Sequence, residues 1–161
     1  MIWQLDDAVG NIIRHLEKLG LMENTIVFFI SDNGGATYTK ATDNAPLKGG
    51  KFTNFEGGLN VPFMVRWDGR TKAGSRSEVP VISMDITATV LSVLGQLPAS
   101  DRPFDGKSLL PLLHEDTVEV LHDRLCWRSG YNRAIRSGDW KLVLDGFSGN
   151  NALYNVKYDK E

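Results

Sequence analysis

The sequence is poor in the features that mark several common protein classes. Of its 161 residues one is cysteine, Cys126, so no internal disulfide framework can form. No apolar run approaches the roughly 18 residues that a membrane-spanning helix needs. The longest, Ile26 to Ile30, is the length of a strand. Neither sign of charge dominates: 18 Lys and Arg stand against 20 Asp and Glu, a formal net charge of −2, without the basic excess of a nucleic-acid binder. The three histidines, His15, His114 and His122, lie far apart and form no pair at metal-ligand spacing, so surface or structural roles are expected of them. No basic and then apolar leader follows Met1, whose neighbours include Gln4, Asp6 and Asp7. No internal repeat is visible. With 42% hydrophobic and 24% charged residues, the composition is that of an ordinary globular chain with one modest core, or a core and a small satellite.

The elements follow from periodicity. Ile2, Leu5, Val9, Ile12, Ile13, Leu16 and Leu19 recur at helical spacing, and Gly20 is a natural stop with Leu21 placed to pack back on the last turn. No Ser, Thr, Asp or Asn precedes this helix as a cap, which hints at a chain that starts inside a larger protein. Ile26 to Ile30 is continuously apolar, the pattern of a strand buried on both faces in a parallel sheet. Residues 31–60 form a long Gly- and Asn-rich stretch, and loops of that length in compact domains are usually functional or disordered. Val61 to Trp67 reads as a second strand with Val61, Phe63, Val65 and Trp67 on one face. Ser83 or Asp85 can cap a helix through Ile86, Val90, Val93 and Leu94 that stops at Gly95. Leu97 to Asp105 reads as a connector and Leu109 to Leu113 as a short helical turn. Beyond Asp123 the texture changes to short strands at 125–127, 133–135, 140–144 and 153–156, with turns at Ser137-Gly138-Asp139 and Gly146 to Asn151. Cys126 reads as a buried apolar residue, and Trp127 and Trp140 as core of this small antiparallel layer.

Two segments carry chemistry. Ser31-Asp32-Asn33-Gly34-Gly35 follows the buried strand directly, and ligands of open α/β sheets bind at the carboxyl ends of strands. Asp32 and Asn33 present hard oxygen atoms of the kind that Ca²⁺ and Mg²⁺ take as ligands. On these five residues alone a simple turn is the commoner reading, since Asp-Asn-Gly is ordinary turn chemistry. Pro46-Leu47-Lys48-Gly49-Gly50-Lys51 places two glycines before a lysine, so that the main chain can approach an anion and Lys51 can supply a point positive charge. It is not a P-loop, because Ala45 stands where the leading glycine belongs and Phe52 where Ser or Thr belongs. A lone lysine in such a loop is more often solvated. Glu56 reads either as a partner of groups around the site or as a surface charge, and Asp43 and Asn44 as candidates to line a pocket.

The ordered set of these segments closely resembles the sulfatase family of the alkaline-phosphatase-like superfamily. The resemblance runs through Leu5 to Gly10, Asn24 to Val27, Ser31 to Gly34, Pro46 to Lys51, Glu56 to Gly58 and Val61 to Phe63. It continues through Asp105 to Leu109 and Arg133 to Leu142, and so spans nearly the whole chain. It implies an α/β fold: residues 1–104 as the C-terminal part of a sulfatase catalytic domain, and 105–161 as a small subdomain of antiparallel strands. It implies Asp32 and Asn33 as metal ligands, to Ca²⁺ or Mg²⁺, and Lys51 as a catalytic, substrate-binding group on the sulfate. The family's nucleophile is a formylglycine made from Cys or Ser in a Cys/Ser-x-Pro-x-Arg motif. Cys126 is followed by Trp127-Arg128-Ser129-Gly130, so it is not that site, and no serine fits. The resemblance therefore implies a sulfuric ester hydrolase whose formylglycine and early metal ligands lie upstream, with this chain inactive alone and open to self-association. It implies a periplasmic, secreted or lysosomal parent. A phosphonate or phosphodiester hydrolase of the same superfamily, and a non-catalytic remnant, are the alternatives.

Overall fold

A computed structural model describes the chain except residues 97, 100, 115–119, 160 and 161. Leu97, where the expected connector begins, thus lies outside the described residues. The chain divides into two compact units, one of residues 1–29, 64–78 and 84–118, the other of residues 30–63, 79–83 and 119–161.

The first unit opens with α1, Ile2–Lys18. Gly20, at φ 67°, closes it: its N–H donates to the Glu17 carbonyl at 3.0 Å, and the Leu21 N–H to the Leu16 carbonyl at 3.0 Å. This left-handed closure needs glycine and satisfies two of the terminal carbonyls. The apolar stripe is as the spacing predicts, yet α1 contains no buried residue, and Ile2, Leu5, Ile12 and Leu19 are exposed. A single 3-10 turn, Met22–Asn24, buries Met22 and leads to β1, Val27–Ile30, which pairs with β2, Phe63–Arg66. β1 is half-buried along its whole length rather than fully buried. Among the described residues, then, its apolar side chains are only partly covered.

The helix α3, Met84–Val93, is built around a carboxylate. Asp85 lies in its first turn, fully buried, and accepts a hydrogen bond from the Lys107 N–H at 2.8 Å. One turn on, the Thr89 hydroxyl donates to the Asp85 carbonyl at 2.6 Å and accepts from the Leu109 N–H at 2.8 Å. These bonds seat the segment before α4, Leu110–Leu113, against α3. Gly106 belongs to the same seam, where a Cβ would run into the Met84 carbonyl.

The second unit holds the antiparallel sheet that the sequence predicts, in the order β3 (Leu125–Ser129), β4 (Asn132–Ser137), β5 (Trp140–Leu144), β6 (Asn151–Asn155). Leu125, Arg136, Lys141 and Tyr154 share one row, and Trp127, Ala134, Val143 and Ala152 the next row on the same face. Leu125, Ala134, Lys141 and Val143 are buried there. The opposite face carries Cys126 and Leu142. Alternation along β5 therefore turns Trp140 outward, 55% exposed, because Lys141 and Val143 take the inner positions. Cys126 is exposed and Trp127 half-buried, so neither Cys126 nor Trp140 is the core residue that its apolar character suggested.

Candidate functional site

The chemistry-bearing residues fall in the second unit. Ser31, just past β1, receives the first constraint: its N–H donates to the Pro62 carbonyl at 3.2 Å and its hydroxyl to the Asn33 carbonyl at 2.9 Å. The Asn33 amide nitrogen donates to the Gly34 carbonyl at 2.7 Å, which leaves Asn33 Oδ1 as its acceptor atom. Asp32 is exposed, and among the described residues no donor is hydrogen-bonded to its carboxylate.

Behind this turn the backbone is packed too tightly for side chains. The Gly34 N–H donates to the Gly58 carbonyl at 3.0 Å, and a Cβ on Gly34 would collide with the carbonyl of Gly57. Gly50 is buried against Gly35 in the same way. Asn44 binds these layers together. Its Oδ1 accepts from the Gly35 N–H at 3.1 Å, and its Nδ2 reaches the carbonyls of Gly35, Gly49 and Gly57 at 3.2, 2.9 and 3.0 Å. Asn44 is thus a structural tie, whereas the sequence suggested a pocket-lining residue. Asp43 accepts from the Ala45 N–H at 2.9 Å, and the Ala45–Pro46 bond is cis.

Lys51 is joined to the Asp32-Asn33 turn through this packing. Its N–H donates to the Gly35 carbonyl at 3.0 Å, so the two motifs, apart in sequence, share a hydrogen bond. Its side chain is half-buried, with Nζ 5.5 Å from the centre of the Phe52 ring. Among the described residues no carboxylate pairs with it. Phe52 has φ 74°, a left-handed conformation rare for a bulky residue, and the Asn132 amide holds its carbonyl at 3.0 Å. Lys48 points elsewhere, donating to the Tyr154 hydroxyl at 3.0 Å and lying over the Phe55 ring.

Glu56 opens the short helix α2, Glu56–Leu59, and is buried. Its Oε1 accepts from Lys141 Nζ at 2.7 Å, and Lys141 has no exposed side-chain area. The Lys141 ammonium also lies 5.8 Å from the centre of the Trp127 ring.

The donor set at Asp32 and Asn33 fits a hard cation in kind, one carboxylate and one amide oxygen. It falls short in number, since among the described residues no three His, Cys, Asp or Glu side chains could close around an ion.

This order of motifs can be compared with known proteins. The family model described as Sulfatase matches residues 1–96. The chain belongs to the sulfatase family. This sulfatase chain is 42% identical over 144 residues to N-acetylgalactosamine-6-sulfatase of Rattus norvegicus, covering 88% of the chain and 27% of that protein. It is 38% identical over 117 residues to steryl-sulfatase of the same species, covering 68% of the chain and 20% of that protein. Among solved structures, a Bacteroides thetaiotaomicron protein of glycosaminoglycan metabolism superposes with a TM-score of 0.79 at 24% identity, over 98% of the chain and 38% of that protein. That likeness supports the fold. The sulfatase chain spans roughly a quarter of the length of the curated relatives it matches.

Sequence reasoning missed Lys141 and Asn132. Asn132 is buried at the start of β4, with its Oδ1 accepting from the Gly146 N–H at 2.8 Å. Lys141 had one available signal: a charged residue at an inward position between Trp140 and Leu142 requires a buried partner of opposite sign.

Proposed function

We propose that the protein containing this chain hydrolyses a sulfate ester, with Lys51 binding the sulfate and Asp32 and Asn33 as two ligands of a hard divalent cation, Ca²⁺ or Mg²⁺. The observation that carries the reading is the hydrogen bond from the Lys51 N–H to the Gly35 carbonyl, which ties the main chain of a lysine with no carboxylate partner among the described residues to the turn bearing the two oxygen donors. In this reading residues 1–104 belong to the catalytic domain and 105–161 to a small subdomain beside it. The formylglycine nucleophile and the remaining metal ligands come from outside these residues, and the protein works outside the cytosol.

The chain's own groups have clear tasks. Lys51 holds a positive charge where the sulfate and the departing oxygen gather negative charge, and among the described residues no carboxylate pairs with it to neutralise it. The Gly34-Gly35 and Gly49-Gly50 backbone, locked by Asn44, keeps that charge in register with the Asp32-Asn33 turn. When bound, the cation supplies Lewis-acid polarisation of the sulfate oxygens and the nucleophile.

The test is sulfate release from 4-nitrocatechol sulfate by the complete protein. Lys51→Ala is expected to lower kcat/KM by about 10²–10³, the usual effect of deleting one preorganised charge-stabilising group. Asp32→Asn is expected to weaken Ca²⁺ binding by calorimetry as well as turnover. Faster cleavage of a phenyl phosphonate monoester than of the sulfate would overturn the assignment in favour of a phosphonate hydrolase.

A further inference from the structure

Three residues past Lys51, a buried donor has nothing to donate to. Asn54 is 4% exposed, and its Nδ2 has no hydrogen-bond partner among the described residues. A buried amide N–H left unmade costs more than a typical hydrogen bond gains, so folded chains rarely leave one. Asn54 is not free to turn outward, because both of its neighbours are fixed. The Thr53 N–H donates to the Gly50 carbonyl at 2.9 Å, and the Thr53 hydroxyl accepts from the Gly50 N–H at 3.0 Å. Phe55 lies edge-on to Tyr154 with ring centres 6.1 Å apart, and its carbonyl accepts from the Gly58 N–H at 2.9 Å.

Asn54 borders a small cavity between the loop and the terminal sheet. Its walls are the loop from Thr53 to Phe55, Asn132 at the start of β4, and the end of β5 from Val143 to Asp145. The cavity has a volume of about 10 Å³. A single water needs about 10–15 Å³ and about two to four polar partners.

We infer that this cavity is a binding site for one buried water, which accepts from Asn54 Nδ2 and bridges the loop that follows Lys51 to the terminal sheet. Size and charge select water. Any organic ligand is too large. The positive end of the Nδ2 donor repels a cation, and the Asp145 carboxylate at the cavity's border repels an anion. Water both accepts and donates. Asn132 Oδ1 has the capacity to receive it, since it accepts from the Gly146 N–H at 2.8 Å and keeps a second lone pair.

The bridge would reinforce a junction that Asn132 already makes. Asn132 sits beside the β3–β4 turn, donates to the Phe52 carbonyl at 3.0 Å and holds Gly146 in the β5–β6 turn. These three loops also enclose a recess of about 220 Å³ rimmed by the exposed rings of Phe52, Tyr131 and Phe147. The water adds a second polar link between loop and sheet, two residues beyond Phe52.

The test is a crystal structure of the complete protein at a resolution that shows ordered water, with the same structure and a melting curve for Asn54→Leu. In the wild type a single water is expected within about 3.2 Å of Asn54 Nδ2 and of one further polar atom in the cavity wall. A dry cavity, or Asn54 Nδ2 bonded directly to a protein group, would overturn the site. Leucine is close to asparagine in size and forms no hydrogen bond, so the melting curve has a decisive sign. Where water satisfies the donor, the substitution discards that bond and the melting temperature is expected to fall by about 2–4 °C. Where the donor is unsatisfied, leucine relieves it, and a rise or no change would overturn the inference. The variant's crystal structure separates loss of water from strain: the water is expected to be gone, and a water that persists in place would show that Asn54 does not hold it. If Asn54→Leu does not fold, the wild-type structure decides alone.

Discussion

Lys141 Nζ and Glu56 Oε1 lie 2.7 Å apart with the lysine fully buried, and this pair joins the terminal sheet to the helix that follows the Lys51 turn. A buried pair differs from a surface one in what its loss does. Removing one partner leaves the other charge buried and alone, at a cost of about 3–5 kcal/mol, while replacing both by apolar groups is often nearly neutral. Lys141→Met and Glu56→Leu are each expected to destabilise by about that amount. The double variant is expected to lose less than either single change. Denaturant titration of the four proteins gives the coupling, and simple additivity would show that the pair is not a unit.

Asn44 leads to a second prediction. Its side chain meets four backbone groups in the glycine-rich packing. At about 1 kcal/mol for each hydrogen bond lost, Asn44→Ala is expected to destabilise by about 2–4 kcal/mol. Gly34→Ala, which drives a methyl into the Gly57 carbonyl, is expected to be worse than Gly10→Ala in α1, where a Cβ meets only the end of the Arg14 side chain and φ is not positive. Thermal melts of the two glycine variants make the comparison, and equal melting temperatures would refute the close packing.

Acid should weaken the second unit through Asp145. The Ser148 hydroxyl and the Phe147 N–H, with Lys48 nearby, hold its carboxyl below the usual carboxylate range. A carboxyl depressed in the fold stabilises it above the unfolded value of about 4 and stops doing so as pH falls through the lower folded value. Asp68, held down by Arg66, behaves in the same way in the first unit. Asp145→Asn and Asp68→Asn should each flatten the loss of stability below about pH 4, measured by melting temperature against pH. Unchanged steepness in both variants would contradict these assignments.

The stripe on α1 predicts behaviour in solution. Ile2, Leu5, Ile12 and Leu19 lie exposed along one side, a patch of the kind that drives association. The isolated chain is expected to self-associate with rising concentration in sedimentation velocity. Leu5→Glu with Ile12→Glu is expected to return it to the monomer. A wild-type chain that stays monomeric at its solubility limit would refute this.

How far the sequence could be read depended on which force set each feature. The helices and strands were legible because apolar spacing sets them, and both Gly20 and Gly95 announced their helix ends. The side of each terminal strand was legible only in part. Trp140 outweighs Lys141 in any hydrophobic count, yet Lys141 faces in because Glu56, distant in sequence, meets it there. The same holds for Asn132 and Asn44, whose roles lie in hydrogen bonds to loops far along the chain. Of the site, the Asp32-Asn33 turn and Lys51 stood out as motifs, whereas the recess beside them arises only when Tyr131 and Phe147 are carried next to Phe52 by the sheet.

The three-way tie at Asn132 has a consequence for how such a protein can change. Because that amide grips the main chain of Phe52 and Gly146 rather than their side chains, the rings at the rim bear little of the frame's load. Tyr131 and Phe147 can be exchanged for other residues while the loops keep their course. Substitutions at the rim can therefore change its surface while the Lys51 main chain stays where it is, one hydrogen bond from the turn that carries Asp32 and Asn33.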